Sequence, residues 1–196
     1  MPSVHLIAGP HGAGKSTLYQ FLVGPRYPEF PFINPQAYAA VELKHIHDPA
    51  RRVRAARAWV DQETQTYFRR GESFVTETAF SHPSRVALIA QARTLGFDVV
   101  LYAVGLDEPR QLLQRVSQRV REGGHPVPSH KVLERYVRCM DNFRQAVFFA
   151  DLAFLIDASD SQAGGPRLIA SVTAGQTHMH ASSRPRWVDR ALGFTE

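Results

Sequence analysis

The tightest constraint on this chain lies close to its amino terminus, where Gly9-Pro10-His11-Gly12-Ala13-Gly14-Lys15-Ser16 forms an unbroken G-x-x-x-x-G-K-[ST] pattern. Such glycines let the backbone curl into a concave loop whose N–H groups point inward at phosphate oxygens. Lys15 would then place a positive charge near the β- and γ-phosphates, and the Ser16 hydroxyl is the expected contact to Mg²⁺. The flanks agree with this reading. Ser3–Ala8 is a short apolar strand candidate, and a helix is expected from Thr17. The loop therefore sits at a helix N-terminus, where unpaired N–H groups and the helix dipole favour an anion. The expected nucleotide-binding residues are Gly9, Pro10, His11, Gly12, Ala13, Gly14, Lys15, Ser16 and Thr17.

Downstream, apolar runs alternate with helical patterns, the signature of an α/β fold with a mainly parallel sheet and crossover helices. Short strands are expected at Phe30–Asn34, Ser73–Glu77, Val99–Val104 and Leu152–Ile156, with an edge strand at Arg167–Thr173. Asp48-Pro49 reads as an N-cap followed by proline at the first helical position. The helix it opens should bury Val53, Ala56, Val60 and Tyr67 and stop at Gly71. Further helices are expected at Pro83–Leu95, at Glu108–Arg121 with Leu112, Val116 and Val120 inward, and at Ser129–Phe149 with Val132, Tyr136, Met140, Phe143 and Val147 inward. The kinase-like domain is expected over residues 1–176, and 177–196 reads as a weakly patterned surface tail that Trp187 and Leu192 dock.

Bulk properties narrow the class. A length of 196 residues fits one domain, and 44% hydrophobic residues suffice for a core. No run approaches the ~18 apolar residues of a membrane span. With a first strand so near the start, no signal peptide is expected. The single cysteine, Cys139, suits a reducing cytoplasm and lies on an apolar helical face, so it is expected in the core. The net charge of +5 comes from 23 basic and 18 acidic residues. Its arginines do not form one tract interleaved with aromatics; polyphosphate ligands explain the excess equally well, and nucleic acid is not the expected partner.

Phosphoryl transfer needs held phosphates, Mg²⁺, cations around the transferring oxygens, and a group to hold the acceptor hydroxyl. In open α/β sheets such groups come from the carboxyl ends of strands. Asn34 and Gln36 follow the second strand, and Glu77 closes the third, followed by Thr78 and Ser81. Glu77 reads either as a cap or surface charge, or as a carboxylate near the loop that orients the acceptor or a Mg²⁺-bound water. Arg115 and Arg119 stand at i, i+4. Alone they would be a solvated face, but beside the Gly123-Gly124-His125 turn they read as arginines of a lid over about 115–135. Arg135, Arg138 and Asn142 share a face of the next helix, equally compatible with lid chemistry and with solvent. His125 fits a phosphate contact or a turn former, and His178-x-His180 lacks a third metal ligand nearby.

Together, Gly9–Thr17, Phe32-Ile33-Asn34-Pro35, Phe74–Thr78, and Arg119–Pro128 followed by Arg135-Tyr136 and Asn142 resemble the zeta toxin family, in particular its short bacterial branch. The resemblance spans about residues 3 to 157. It implies a three-layer P-loop kinase fold with a helical lid, and an ATP- or GTP-dependent, Mg²⁺-dependent kinase. Characterised zeta toxins phosphorylate UDP-N-acetylglucosamine and are neutralised by a small helical antitoxin. By position the resemblance makes Lys15 and Ser16 the phosphate and Mg²⁺ residues, Glu77 a substrate-site carboxylate, and Arg115 and Arg119 the lid arginines. Two positions depart from the family. Gln36 stands where an aspartate base is expected, and a carboxamide cannot take a proton at neutral pH. His125 stands where some members carry arginine.

Overall fold

A computed structural model describes residues 1–121, 127–159 and 165–194. Its centre is a seven-stranded sheet in the order β2-β3-β1-β4-β5-β6-β7. Strands β1 (Ser3–Ala8), β2 (Phe32–Ile33), β3 (Phe74–Thr78), β4 (Asp98–Gly105) and β5 (Leu152–Asp157) run parallel; β6 (Arg167–Thr173) and β7 (Gln176–Met179) continue the sheet antiparallel. Strand periodicity divides the core between two faces. Val4, Leu6 and Ala8 of β1 join Leu101 and Ala103 of β4 on one face, and Ile7 joins Tyr102 and Val104 on the other. The mainly parallel sheet expected from the sequence is the sheet observed.

Helices cover both faces. Against the Ile7 face pack Leu18 of α1 (Lys15–Leu18), which continues through a π-helical turn at Tyr19–Val23 into α2 (Gly24–Arg26), and Leu112 and Val116 of α6 (Pro109–Arg121). Against the other face pack Val60 and Phe68 of α4 (Pro49–Arg70), Leu88 and Ile89 of α5 (Ser84–Thr94), and Met140, Phe143 and Val147 of α7 (Ser129–Phe149). Among the described residues no helix is long and apolar enough to cross a membrane.

Several local expectations need correction. The second strand is only Phe32–Ile33, because the Asn34 side chain accepts from the N–H groups of Gln36 (2.8 Å) and Ala37 (3.0 Å) and opens α3 (Pro35–Val41) there. The buried stripe of α4 is Ala56, Val60, Thr64 and Phe68, at steps of four. Val53 lies outside it at 41% exposure, and Tyr67 is only partly buried. Val120 and Tyr136 are likewise only partly buried. Cys139 is fully buried, and burial raises its thiol pKa, so it is a core residue.

Within the surface tail expected over 177–196, the described residues 177–194 instead hold a strand and a helix. Residues Ala174 (φ 50°) and Gly175 (φ 76°) turn the chain so that β7 pairs with β6, which is therefore not the edge strand. Helix α8 (Arg186–Leu192) then buries Trp187, Val188, Ala191 and Leu192. A helix so short is marginal alone. Here the Asp107 carboxylate, from the end of β4, caps it by accepting from the N–H groups of Arg186 (2.9 Å) and Trp187 (2.8 Å).

Candidate functional site

The phosphate-loop residues join the end of β1 to the start of α1, at the carboxyl edge of the parallel strands. Gly12 and Gly14 have φ of 84° and 86°, a region L side chains avoid. A Cβ at Gly9 would stand 2.4 Å from the Val104 carbonyl oxygen, so only glycine lets the loop leave β1 alongside β4. The Gly9 N–H donates to the Thr78 carbonyl (3.2 Å), which ties the loop to the end of β3 as well.

That tie sets Glu77 under the loop. The parallel register pairs Ile7 with Glu77, and the carboxylate is 5% exposed. Its Oε2 accepts from the Ser16 hydroxyl (2.9 Å) and from Asn34 Nδ2 (3.2 Å), while Oε1 stands 3.9 Å from Lys15 Nζ. Glu77 is thus neither a helix cap nor a surface charge. Lys15 also donates to the Pro10 carbonyl (3.0 Å). Burial lowers the Lys15 pKa, and Glu77 pushes it back up.

Other expected residues fall into distinct places. Asn34 is engaged at both ends of its amide, one on α3 and one on Glu77. Thr78 Oγ1 accepts from the Phe80 N–H (3.2 Å). Ser81 is half-buried just beyond Phe80, which is fully buried at φ 52°. That strained conformation is held by Asn142, whose Nδ2 donates to the Phe80 carbonyl (2.8 Å). Asn142 is therefore part of the core support rather than of a lid face. Arg138 is exposed and paired with Glu134 (3.4 Å). His125 lies outside the described residues.

The two expected lid arginines differ. Arg115 donates to the carbonyls of Ala158 (2.7 Å), Ser159 (3.4 Å) and Gly12 (3.4 Å), so it ties the loop to the end of β5. Arg119 reaches across to α3 and donates to Gln36 Oε1 (3.1 Å). Arg135, from α7, has one guanidinium nitrogen 3.0 Å from His11 Nε2 in the loop. Burial pulls the His11 pKa down to about 3, with further lowering by the surrounding charges of Lys15, Arg135, Arg119 and Arg57. The Arg57 contribution, from α4, and the His11–Arg135 contact were not foreseen. The helix face shared with Arg138 and Asn142 and the Arg135-Tyr136 pair of the resemblance pointed to Arg135, but nothing local marked Arg57.

Among the described residues no three His, Cys, Asp or Glu side chains converge on a metal site, and His180 contacts the Ser171 hydroxyl (2.8 Å). The Ser16 and Glu77 oxygens are hard donors of the kind Mg²⁺ prefers, since it keeps several waters and takes only one or two protein ligands. A separate cleft of about 530 Å³, lined by residues including Gln111, Tyr136, Met140 and Trp187, includes no loop residue.

Comparison with known proteins agrees with this architecture. The fold is shared with AvrRxo1-ORF1:ORF2 solved with ATP (TM-score 0.68, 17% identity, 92% of this chain and 61% of that one). It is also shared with the PezAT toxin–antitoxin system of Streptococcus pneumoniae (TM-score 0.63, 15% identity, 80% and 68%). A third likeness is a putative kinase from Chloroflexus aurantiacus (TM-score 0.53, 19% identity, 67% and 74%). The chain thus spans less than two thirds of the AvrRxo1 chain's length. No curated protein matches it in sequence. Residues 4–142, from the first strand into the helix that carries Arg135, match the family AAA_33, and the chain belongs to this AAA domain family with a P-loop kinase-like fold.

Proposed function

We propose that this chain is a zeta-toxin-like kinase that transfers the γ-phosphoryl group of ATP or GTP to a hydroxyl of a small metabolite, a nucleotide sugar such as UDP-N-acetylglucosamine. The observation that carries the reading is the joint placement of Ser16, Glu77 and Lys15 at the carboxyl ends of β1 and β3. The loop N–H groups and Lys15 bind the phosphates. Ser16 and Glu77 would hold Mg²⁺, which when bound neutralises charge on the β- and γ-oxygens. Glu77 already accepts from Ser16 and Asn34 and faces Lys15, so it acts as a holder rather than as a proton acceptor. With Gln36 on Arg119, the acceptor reacts without a side-chain base, which a loose transition state tolerates because it demands little deprotonation of the nucleophile. Helices α6 and α7 supply the two arms of the lid.

That fold neighbours are known as AvrRxo1-ORF1:ORF2 and PezAT assemblies supports a small antitoxin-like partner for this chain too. A second reading, a nucleotide-binding module without transfer activity, is favoured by Gln36 alone. The test is consumption of ATP and of GTP with Mg²⁺ across a panel of UDP-sugars and oligonucleotides, with product detected by mass. A phosphorylated sugar supports the kinase. Nucleotide binding with no phosphorylated product from any acceptor supports the second reading and overturns the first.

A further inference from the structure

We infer that Arg135 is the guanidinium that meets the transferring phosphoryl group, and that His11 in the phosphate loop positions it. The inference rests on the kinase reading above and goes beyond it to name a residue that neither the motif nor the family comparison assigns. The two side chains come from positions 124 residues apart and meet at 3.0 Å. A guanidinium nitrogen can only donate, so His11 Nε2 must accept and the imidazole proton resides on Nδ1. That Nδ1 is buried and has no hydrogen-bond partner among the described residues.

Three of the other arginines nearby already have partners, and Arg57 is an exposed residue of α4. Arg115 holds backbone carbonyls, Arg119 holds Gln36, and Arg138 pairs with Glu134. Among the described residues Arg135 hydrogen-bonds only to the uncharged imidazole, so its positive charge stays available. A carboxylate in the place of His11 would orient Arg135 equally well but would cancel the charge that the transition state needs. Burial, with the charges of Lys15, Arg135, Arg119 and Arg57, holds the His11 pKa down to about 3, so at neutral pH the imidazole is uncharged and can accept from Arg135. In the transfer itself the bond from the γ-phosphorus to the nucleotide's bridging oxygen breaks. A bond to the acceptor oxygen forms, and the hydroxyl proton leaves to solvent. Arg135 donates N–H groups to the equatorial oxygens throughout and forms no covalent bond.

The test needs no acceptor. Binding of ADP with Mg²⁺ is measured with and without aluminium fluoride, a planar phosphoryl mimic, for wild type, Arg135→Ala, Arg135→Lys, His11→Ala, His11→Gln and Arg138→Ala. Wild type and Arg138→Ala should gain affinity from the fluoride. Arg135→Ala should keep its ADP affinity within about twofold yet lose roughly tenfold or more of that gain. Free guanidinium should restore part of it, and Arg135→Lys should restore less. His11→Ala should lose the gain and His11→Gln should recover some. If Arg135→Ala retains the wild-type gain, or weakens ADP in parallel with it, the inference is overturned while the kinase reading stands. The same holds if wild type binds ADP but shows no gain. A wild type that binds no ADP overturns both.

Discussion

Replacing Glu77 by glutamine tests the centre of the site, because the carboxylate faces both a buried cation and the loop hydroxyl. Lys15 and Glu77 are each 5% exposed and stand 3.9 Å apart. At an effective dielectric of ~20 such a pair attracts by roughly 4 kcal/mol. The net cost of Glu77→Gln should be smaller, about 2–3 kcal/mol. Lys15 keeps the Pro10 carbonyl, burial already draws it towards neutrality, and the amide oxygen can still accept from Ser16. In a chain of this size each kcal/mol lowers Tm by ~2–4 °C, so the expected drop is about 5–10 °C by calorimetry. ADP titrations add the functional arm. In EDTA the variant should bind ADP at least as tightly as wild type, since one negative charge beside the diphosphate is gone. With Mg²⁺ the wild type should gain affinity and the variant should gain far less. An unchanged Tm, or a wild-type Mg²⁺ dependence, refutes the reasoning.

Two further outcomes follow from packing and burial. His5 is 2% exposed, contacts the Tyr102 hydroxyl (3.1 Å), and has its pKa lowered to about 4 by burial. The unfolded chain therefore takes up this proton first: stability is full above pH 6.5 and drains as pH falls towards 4, by roughly 2 kcal/mol at pH 5. In His5→Phe that share should vanish, at a pH-independent cost of about 1 kcal/mol for the lost hydrogen bond. Between pH 7 and pH 5 the wild-type urea midpoint should fall about 1 M further than the variant's, and equal falls would count against it. A Cβ at Gly105 would stand 2.6 Å from Trp187 Cδ2, so Gly105→Ala should displace the indole and cost about 2–3 kcal/mol. A red-shifted tryptophan emission and a lower melt are the readouts; unchanged values would mean that α8 yields freely.

The sequence alone determined what depends on local order. The glycine spacing of residues 9–16, the strand before it, the alternation of apolar runs and the long periodic helices specified a P-loop α/β fold. Glu77 stood out because it closes an apolar strand. What the sequence could not show were partnerships between distant segments, since periodicity carries no record of which strands lie side by side. Glu77 meets Ser16 only because β3 lies next to β1, and Arg135 meets His11 only because α7 packs back over the sheet. Arg115 and Arg119 look alike in sequence, yet one is turned onto carbonyls and the other onto Gln36 by what surrounds them. Helix α8 is too short to announce itself, and it exists because Asp107 caps it and the core accepts Trp187. Local chemistry wrote the loop; the sheet order decided what stands around it.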